Sequence, residues 1–301
     1  MNIAILSRNP QLYSTQSLFR ACRRRGHYVR VIDHMRCQLA ILNGSKYIQY
    51  QGEILKHIDA VIPRIGSSVT KPGAAVLRQF ELQNILSAIT TTGLLNARDK
   101  LRSLQILSSH KIETVDTIQP ELNYRADKII QLLGGLPVVV KLSEGTHGTG
   151  VMLADSKNGL ITILETFHNL DQKVLVQKFI KEARGQDLRA IVVNGEVVAS
   201  MKRKAQPGEF RSNLHRGGTA IHIKLDSSEQ KAAIDAANAL KLGVAGVDLL
   251  QSKNGPLVLE VNPSPGLEGI ETITKVDVAG KIVEFLESKI DAHRTLADMI
   301  S

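Results

Sequence analysis

Tryptophan is absent, phenylalanine and tyrosine together make up only 4% of the chain, and 301 residues include just two cysteines. Two cysteines cannot build a disulfide scaffold, and Cys22 and Cys37 lie at no metal-ligand spacing, so both are expected to be reduced structural residues. With so few aromatics there is little surface on which bases could stack. No direct, sequence-specific nucleic-acid contact is expected, although the net charge of +9 favours an acidic partner. No apolar window approaches the ~20 residues of a membrane span, and the opening MNIAILSRNP lacks a secretory signal, so a cytoplasmic location with no membrane partner is expected. The dinucleotide fingerprint is missing, because SRNPQLYS supplies no glycine after the first strand. There is no Walker A sequence, and no Ser-His-Asp or Cys-His nucleophile set is evident.

What is present reads as an α/β chain of about two domains. Asn2 to Leu6 is a short apolar strand, a helix from Leu12 to Arg25 is stopped by Gly26, and strands follow at His27 to Asp33 and Ile58 to Pro63. This opening is Rossmann-like in layout. Arg64 sits at the C-terminal end of the third strand, where open α/β sheets place ligands, and is a candidate substrate contact; a plain surface arginine is the alternative. The run Arg20, Arg23, Arg24 and Arg25 is expected to be a solvated helix face. A helix spans Pro72 to Asn84, and a first domain boundary is expected near Leu95. Asp99 can cap a helix from Lys100 to His110, which puts Lys100 on a first turn suited to phosphate. Pro120 should open the next helix, and Gly134-Gly135 should end it.

Lys141 lies inside the apolar strand Val138 to Leu142 and needs an anionic partner. The loop EGTHGTG joins that strand to Val151 to Ala154, and Gly145, Gly148 and Gly150 would let backbone amides approach an anion. After a helix from Lys157 to His168 and a strand from Lys173 to Gln177, Asn194-Gly195 marks a two-residue hairpin turn. An unbroken register there puts Asp187 and Arg189 on one face opposite Lys202 and Ser200, with Arg203 facing away from Asp187. The loop Pro207 to Gly218 carries Arg211, Asn213, His215 and Arg216 among glycines. A capping box is expected at Ser227 and Gln230, and Asp277 should cap a last helix that ends near Ala292, with Arg294 to Ser301 frayed.

The stretch Val244 to Gly266 reads as a hairpin around Asn254-Gly255-Pro256. A five-residue loop would place Ala245, Val247 and Leu249 on a core face with Leu257, Leu259 and Val261, leaving Asp248 opposite Glu260 and Asn262 two residues on. Three oxygen donors on one strand face suit Mg²⁺, particularly Mg²⁺ that takes its other ligands from phosphates; a merely wet hairpin face is the alternative.

Phosphate-suited lysines, a glycine flap, a basic loop and a carboxylate-carboxylate-amide strand pair, in this order, resemble the ATP-grasp superfamily, and the RimK-type glutamate ligases in particular. The stretches that carry the resemblance are IPRIG, ARDKLRSLQIL, VVVKLSEGTHGTGV, VQKFIKEARGQDLR, EFRSNLHRGG, AGVDLL and LVLEVNPSPGLEGIE. It implies an ATP-grasp fold in three parts: a Rossmann-like pre-ATP-grasp domain over 1–97, a central lid over 98–181, and a C-terminal lobe with the metal site over 182–301. It further implies ATP with two Mg²⁺ ions, Mn²⁺ substituting, and L-glutamate added through an acyl phosphate to a small-subunit ribosomal protein with an acidic C-terminal tail. A homo-oligomer is expected. The family's nucleotide contacts fall on Lys100, Lys141, Gly145, Gly148, Gly150, Gln177, Lys178, Phe179, Asp187, Arg211, Ser212 and Asn213. Its metal ligands fall on Asp248, Glu260 and Asn262, with Glu260 bridging the ions, and Arg203, Arg211 and Asn213 would serve the reacting groups. Lys178 departs from the acidic residue expected before the aromatic one. A ligase acting on a free small-molecule acid, or a non-catalytic nucleotide-dependent ribosome-binding protein, are the alternatives.

Overall fold

Strand β1 (Asn2–Leu6) is apolar because it is covered on both faces and flanked by parallel strands on both edges. In the computed structural model, which describes all residues except 122–124, 144–149, 213–216 and 301, and the backbone alone of 292–300, it starts the expected β-α-β unit. Helix α1 (Tyr13–Arg24) ends at Gly26, whose φ of +77° suits glycine, and β2 (Tyr28–Ile32) follows. An antiparallel meander comes next: β3 (Cys37–Leu42), β4 (Ser45–Tyr50) and β5 (Glu53–Ile54). The parallel sheet resumes with β6 (Ala60–Pro63), α2 (Thr70–Glu81) and β7 (Leu86–Ser87), giving the order β2-β1-β6-β7.

Helices α3 (Thr91–Arg98) and α4 (Lys100–Ser109) meet at Asp99, whose side chain accepts from the Arg102 amide at 3.0 Å and caps α4. After β8 (Thr117–Ile118), helix α5 (Ala126–Leu132) starts later than Pro120. Then come β9 (Val138–Leu142), β10 (Val151–Ala154), α6 (Lys157–Asn169) and β11 (Val174–Lys178). These strands form an antiparallel sheet in the order β10-β9-β11-β8, with its own core of residues such as Val140, Leu160, Leu164 and Val176.

The second antiparallel sheet, ordered β14-β13-β12-β15-β16, is built from β12 (Gln186–Val193), β13 (Glu196–Lys204), β14 (Thr219–His222), β15 (Val244–Ser252) and β16 (Gly255–Asn262), with α7 (Ser227–Ala239) packed against it. The capping box on α7 is Asp226 with Glu229, one residue earlier than expected, because the Asp226 carboxylate reaches the Glu229 amide at 2.8 Å. Helix α8 (Glu268–Thr274) leads to α9 (Val278–Ile300), whose backbone continues beyond Ala292 through the stretch expected to fray. One continuous apolar core joins this sheet and α9 to the parallel sheet.

The arginine run is not simply solvated. Arg24 pairs with Asp277 at 2.6 Å and Arg25 with Glu287 at 2.6 Å, while His27 reaches Glu287 at 2.7 Å, so the end of α1 is tied to α9. The exposed Arg24–Asp277 pair contributes at most about 1 kcal/mol, and both helices also place apolar residues, Leu18 and Ala21 from one and Ile282 and Leu286 from the other, in the same buried core.

Candidate active site

Two β-bulges decide which charged side chains meet. Asn194 and Gly195, at φ +52° and +76°, form the two-residue turn between β12 and β13, and pairing starts as expected with Val193 opposite Glu196. Val198 then bulges out, so Ile191 faces Ala199 and Asp187 comes to lie directly across from Arg203. The expectation that Arg203 faces away from Asp187 is therefore corrected: one inserted residue turns the rest of β13 over. In the second hairpin the loop is shorter than expected, with Ser252 pairing Gly255, and Leu259 bulges. The shorter loop and the bulge offset each other, so Asp248 still faces Glu260. The bulge does correct the core assignment: Val258 and Val261 are buried in the core, whereas Leu257 and Leu259 pack with Leu250 against Val115 and Ile180 on the opposite side.

That opposite side is the floor of a cleft of about 990 Å³, open solvent included, lying between β9 and β11 of one sheet and β12, β13, β15 and β16 of the other. Val115, Val139, Phe179, Ile180, Leu250 and Leu259 give it an apolar end, and Phe179 meets Phe210 edge to face with ring centroids 6.4 Å apart. The other end carries Lys100, Lys141, Asp187, Arg203, Asp248 and Glu260. Arg203 is 3% exposed and forks onto both oxygens of Asp187 at 2.6 Å, with a further 2.9 Å contact to Asp248. Arg189, whose part in the site nothing in its spacing announced, forks onto Asp248 at 2.7 Å twice. Against the burial that disfavours its charge, Arg189 and Arg203 pull the Asp248 carboxyl down to about 2. Ser212 donates to Asp187 at 2.6 Å, and Arg211 is held by Glu209 at 2.6 Å while reaching the Val151 carbonyl at 3.2 Å.

Gln177 is buried, donates to Thr117 at 2.8 Å and leaves its Oε1 without a partner among the described residues. Lys178 points its ammonium at Asp116, 3.2 Å away, on an exposed edge. Gly150, at φ +69°, is required locally: a Cβ there would stand 2.3 Å from Leu142 Cδ1. Gly145, Gly148 and Asn213, like His215 and Arg216, lie outside the described residues. Asn262 lies opposite Gly246, two residues on from Glu260 on the face that carries Asp248 and Glu260, and its Oδ1 accepts from the Ser264 amide at 2.9 Å.

The donor set fits a hard divalent cation. Asp248 Oδ1 accepts one hydrogen bond and keeps a lone pair, and Glu260 makes no hydrogen bond or ion pair among the described residues. The described residues hold no group of three His, Cys, Asp or Glu side chains suited to a metal, so a cation here would draw further ligands from substrate.

Lys141 supplies a pH prediction. Burial, with Lys100 adding and Glu260 opposing, pushes its ammonium down to about 8, below the ordinary value near ~10.4. The ligand-free protein is therefore destabilised by this charge below about 8, and the penalty fades as pH rises toward the unfolded value. Lys141→Met is expected to melt no lower than the parent at neutral pH. Calorimetric titration should show the parent's affinity for a nucleotide triphosphate falling as pH rises through about 8, and a flat profile in the variant.

An apolar slot and a cationic, metal-suited end between two antiparallel sheets is the ATP-grasp architecture. Solved structures share the fold. The ATP-grasp ligase PsnB in complex with its minimal precursor, Mg and ADP superposes with a TM-score of 0.73 at 17% identity, over 96% of this chain and 98% of that one. The D-alanine–D-alanine ligase of Bacillus anthracis complexed with ATP gives 0.67 at 20% identity, over 99% of each chain. Residues 97–286 match the RimK-like ATP-grasp domain and residues 1–94 the RimK PreATP-grasp domain. Proteins named probable alpha-L-glutamate ligase are 50% identical in Aeromonas salmonicida, over 96% of this chain and 97% of that one, and 53% identical in Cellvibrio japonicus, over 95% of both. The chain belongs to the RimK family of ATP-grasp proteins and is an ADP-forming carboxylate–amine ligase.

Proposed function

We propose that the protein uses ATP and Mg²⁺ to add L-glutamate, through an acyl phosphate, to the C-terminus of a small-subunit ribosomal protein. The observation that carries this reading is the pairing of Asp248 with Glu260 at the cationic end of the cleft, across from Lys100 and Lys141. Asp248 Oδ1 and Glu260 would hold the metal, which, when bound, supplies neutralising charge to the phosphoryl group in transfer. Lys100 and Lys141 bind the phosphates as point charges, and Arg203 and Arg211 stabilise the acyl phosphate and the oxyanion formed when the amine adds to its carbonyl. Val115, Val139, Ile180, Leu250 and Leu259 exclude water around the base, and Phe179 closes that end against Phe210. The side chain of Lys178 is engaged by Asp116, which supports a nucleotide contact made through the main chain at this position.

The net charge of +9 suits an acceptor with an acidic tail, and the names of the relatives support glutamate as the amine donor. Incubation with ATP, Mg²⁺, glutamate and the candidate ribosomal protein should give a ladder of glutamyl masses on the intact acceptor. ADP release with the acceptor unmodified would assign the ligase to a different acid.

A further inference from the structure

Arg64 and Arg98 are partly buried cations whose hydrogen bonds, among the described residues, go only to backbone carbonyls. Arg64 follows β6 at the C-terminal edge of the parallel sheet, and its Nη2 donates to the Pro265 carbonyl at 2.7 Å. Arg98 ends α3, and its Nη2 donates to the carbonyl of Ile65 at 2.7 Å. The Arg98 Nε is buried with no hydrogen-bond partner among the described residues, and so is Oγ of Ser264, the residue preceding the carbonyl that Arg64 grips. Neither arginine forms an ion pair among the described residues.

Two guanidinium groups taken out of water within reach of each other are costly unless an anion joins them, because carbonyl dipoles offset only part of the lost hydration. Burial and then the charge of Arg98 hold Arg64 down at about 10, and burial lowers Arg98 against the attraction of Glu260. Ala97, the neighbour of Arg98, lines a small pocket together with Lys100, Lys141 and Glu260, which places the two arginines beside the carboxylates of the proposed metal site. The space beside Gly66 is open, since a Cβ there would meet nothing nearer than the Arg8 guanidinium, at 3.9 Å. The C-terminal edge of a parallel sheet is also where open α/β folds leave a crevice for ligands.

We propose that Arg64, Arg98 and the Ser264 hydroxyl form a subsite for a non-reacting carboxylate of the amine-bearing substrate. This rests on the ligase reading and extends it to the second substrate. The guanidinium fork matches a carboxylate bidentately, whereas a carboxylate gripped in that way would be withheld from phosphorylation. The acceptor carboxylate, which must attack a phosphate between Lys141 and Glu260, therefore does not sit here. The amine-bearing partner has the carboxylate to spare.

Arg98→Gln, which can still donate to Ile65, is the informative variant. It is expected to raise the KM for glutamate by about 10- to 100-fold, the loss of a hydrogen bond to a charged group, while the KM values for ATP and acceptor stay within about 2-fold. Arg98→Lys should recover part of the loss. Replacing glutamate with glutamine or with isoglutamine separates the two carboxylates: the amide that lacks the one bound here should suffer no added loss in Arg98→Gln. Glutarate, which has no amine to react, should raise the melting temperature of the parent and not of the variant. An unchanged glutamate KM, or an equal rise in the acceptor KM, overturns the proposal. If Arg98→Gln does not fold, Arg64→Gln and Arg98→Lys carry the same measurements. If the parent shows no glutamate-dependent ADP release the ligase reading fails by itself, and the glutarate melt still decides whether the crevice binds a carboxylate.

Discussion

Glu260→Gln is expected to lower glutamate-dependent ADP release by about 100- to 1,000-fold while leaving the melting temperature nearly unchanged. The size of the first effect follows from the proposed role. An amide in this place is a weaker donor to Mg²⁺ than a carboxylate and removes one negative charge from the pair that faces the phosphates. The smallness of the second follows from the environment. Glu260 is exposed and makes no hydrogen bond or ion pair among the described residues, so the substitution leaves no buried group unsatisfied. Two longer-range terms remain and oppose each other: repulsion from Asp248 is relieved, and attraction for Lys141 and Arg98 is lost. Asp248→Asn would be the poorer experiment, because Asp248 also receives Arg189 and Arg203, and a loss of activity could be a loss of fold. Full activity in a folded Glu260→Gln enzyme, at limiting Mg²⁺, would remove this residue from the metal site.

Local chemistry announced most of what positions this site. The Asn194-Gly195 turn, the Asp99 cap and the strand bearing Lys141 each rest on interactions between near neighbours, which composition and spacing report directly. The meander β3-β4-β5 was legible as well, since Asn43-Gly44 is the same turn signal, at φ +50° and +78°. It is an insertion between β2 and β6 that forms a sheet of its own, outside the parallel β-α-β pattern on either side of it. The bulges at Val198 and Leu259 were not legible. A bulge exchanges one ladder bond for a local twist, and neither valine nor leucine differs in type from its paired neighbours. Its effect is not local: beyond Val198 the face of β13 inverts, bringing Arg203 to Asp187, and the break in alternation at Leu259 puts Leu257 and Leu259 on the side away from the core face that Val258 and Val261 share. Arg189 stayed unassigned for a related reason. Its partner Asp248 lies across a β12–β15 pairing of strands distant in sequence, and a hairpin register says nothing about such a pairing.

The largest loss of stability is expected at Arg203. Arg203→Ala should cost about 3–5 kcal/mol in urea unfolding, because it strands carboxylates more than it removes a bond. Asp187 is 5% exposed, and without Arg203 its only side-chain partner among those described is the Ser212 hydroxyl. Asp248, 7% exposed, keeps the Arg189 fork and loses less. The prediction therefore has internal structure. Adding Asp187→Asn to Arg203→Ala should return a large part of the loss, since the second change discharges the group that the first left uncompensated. Arg203→Lys should fall between, because a single ammonium cannot fork onto Asp187 and also reach Asp248. Acid sharpens the test. The depressed Asp248 carboxyl contributes stability above its unfolded value near ~3.9, and that contribution is lost as pH falls toward about 2, so the gap between parent and Arg203→Ala should narrow in that window. If the double variant is as unstable as Arg203→Ala alone, the cost lies in the packing of the arginine stem and not in a stranded charge, and Asp187 would then be a bystander in the network that holds Asp248 at the cleft.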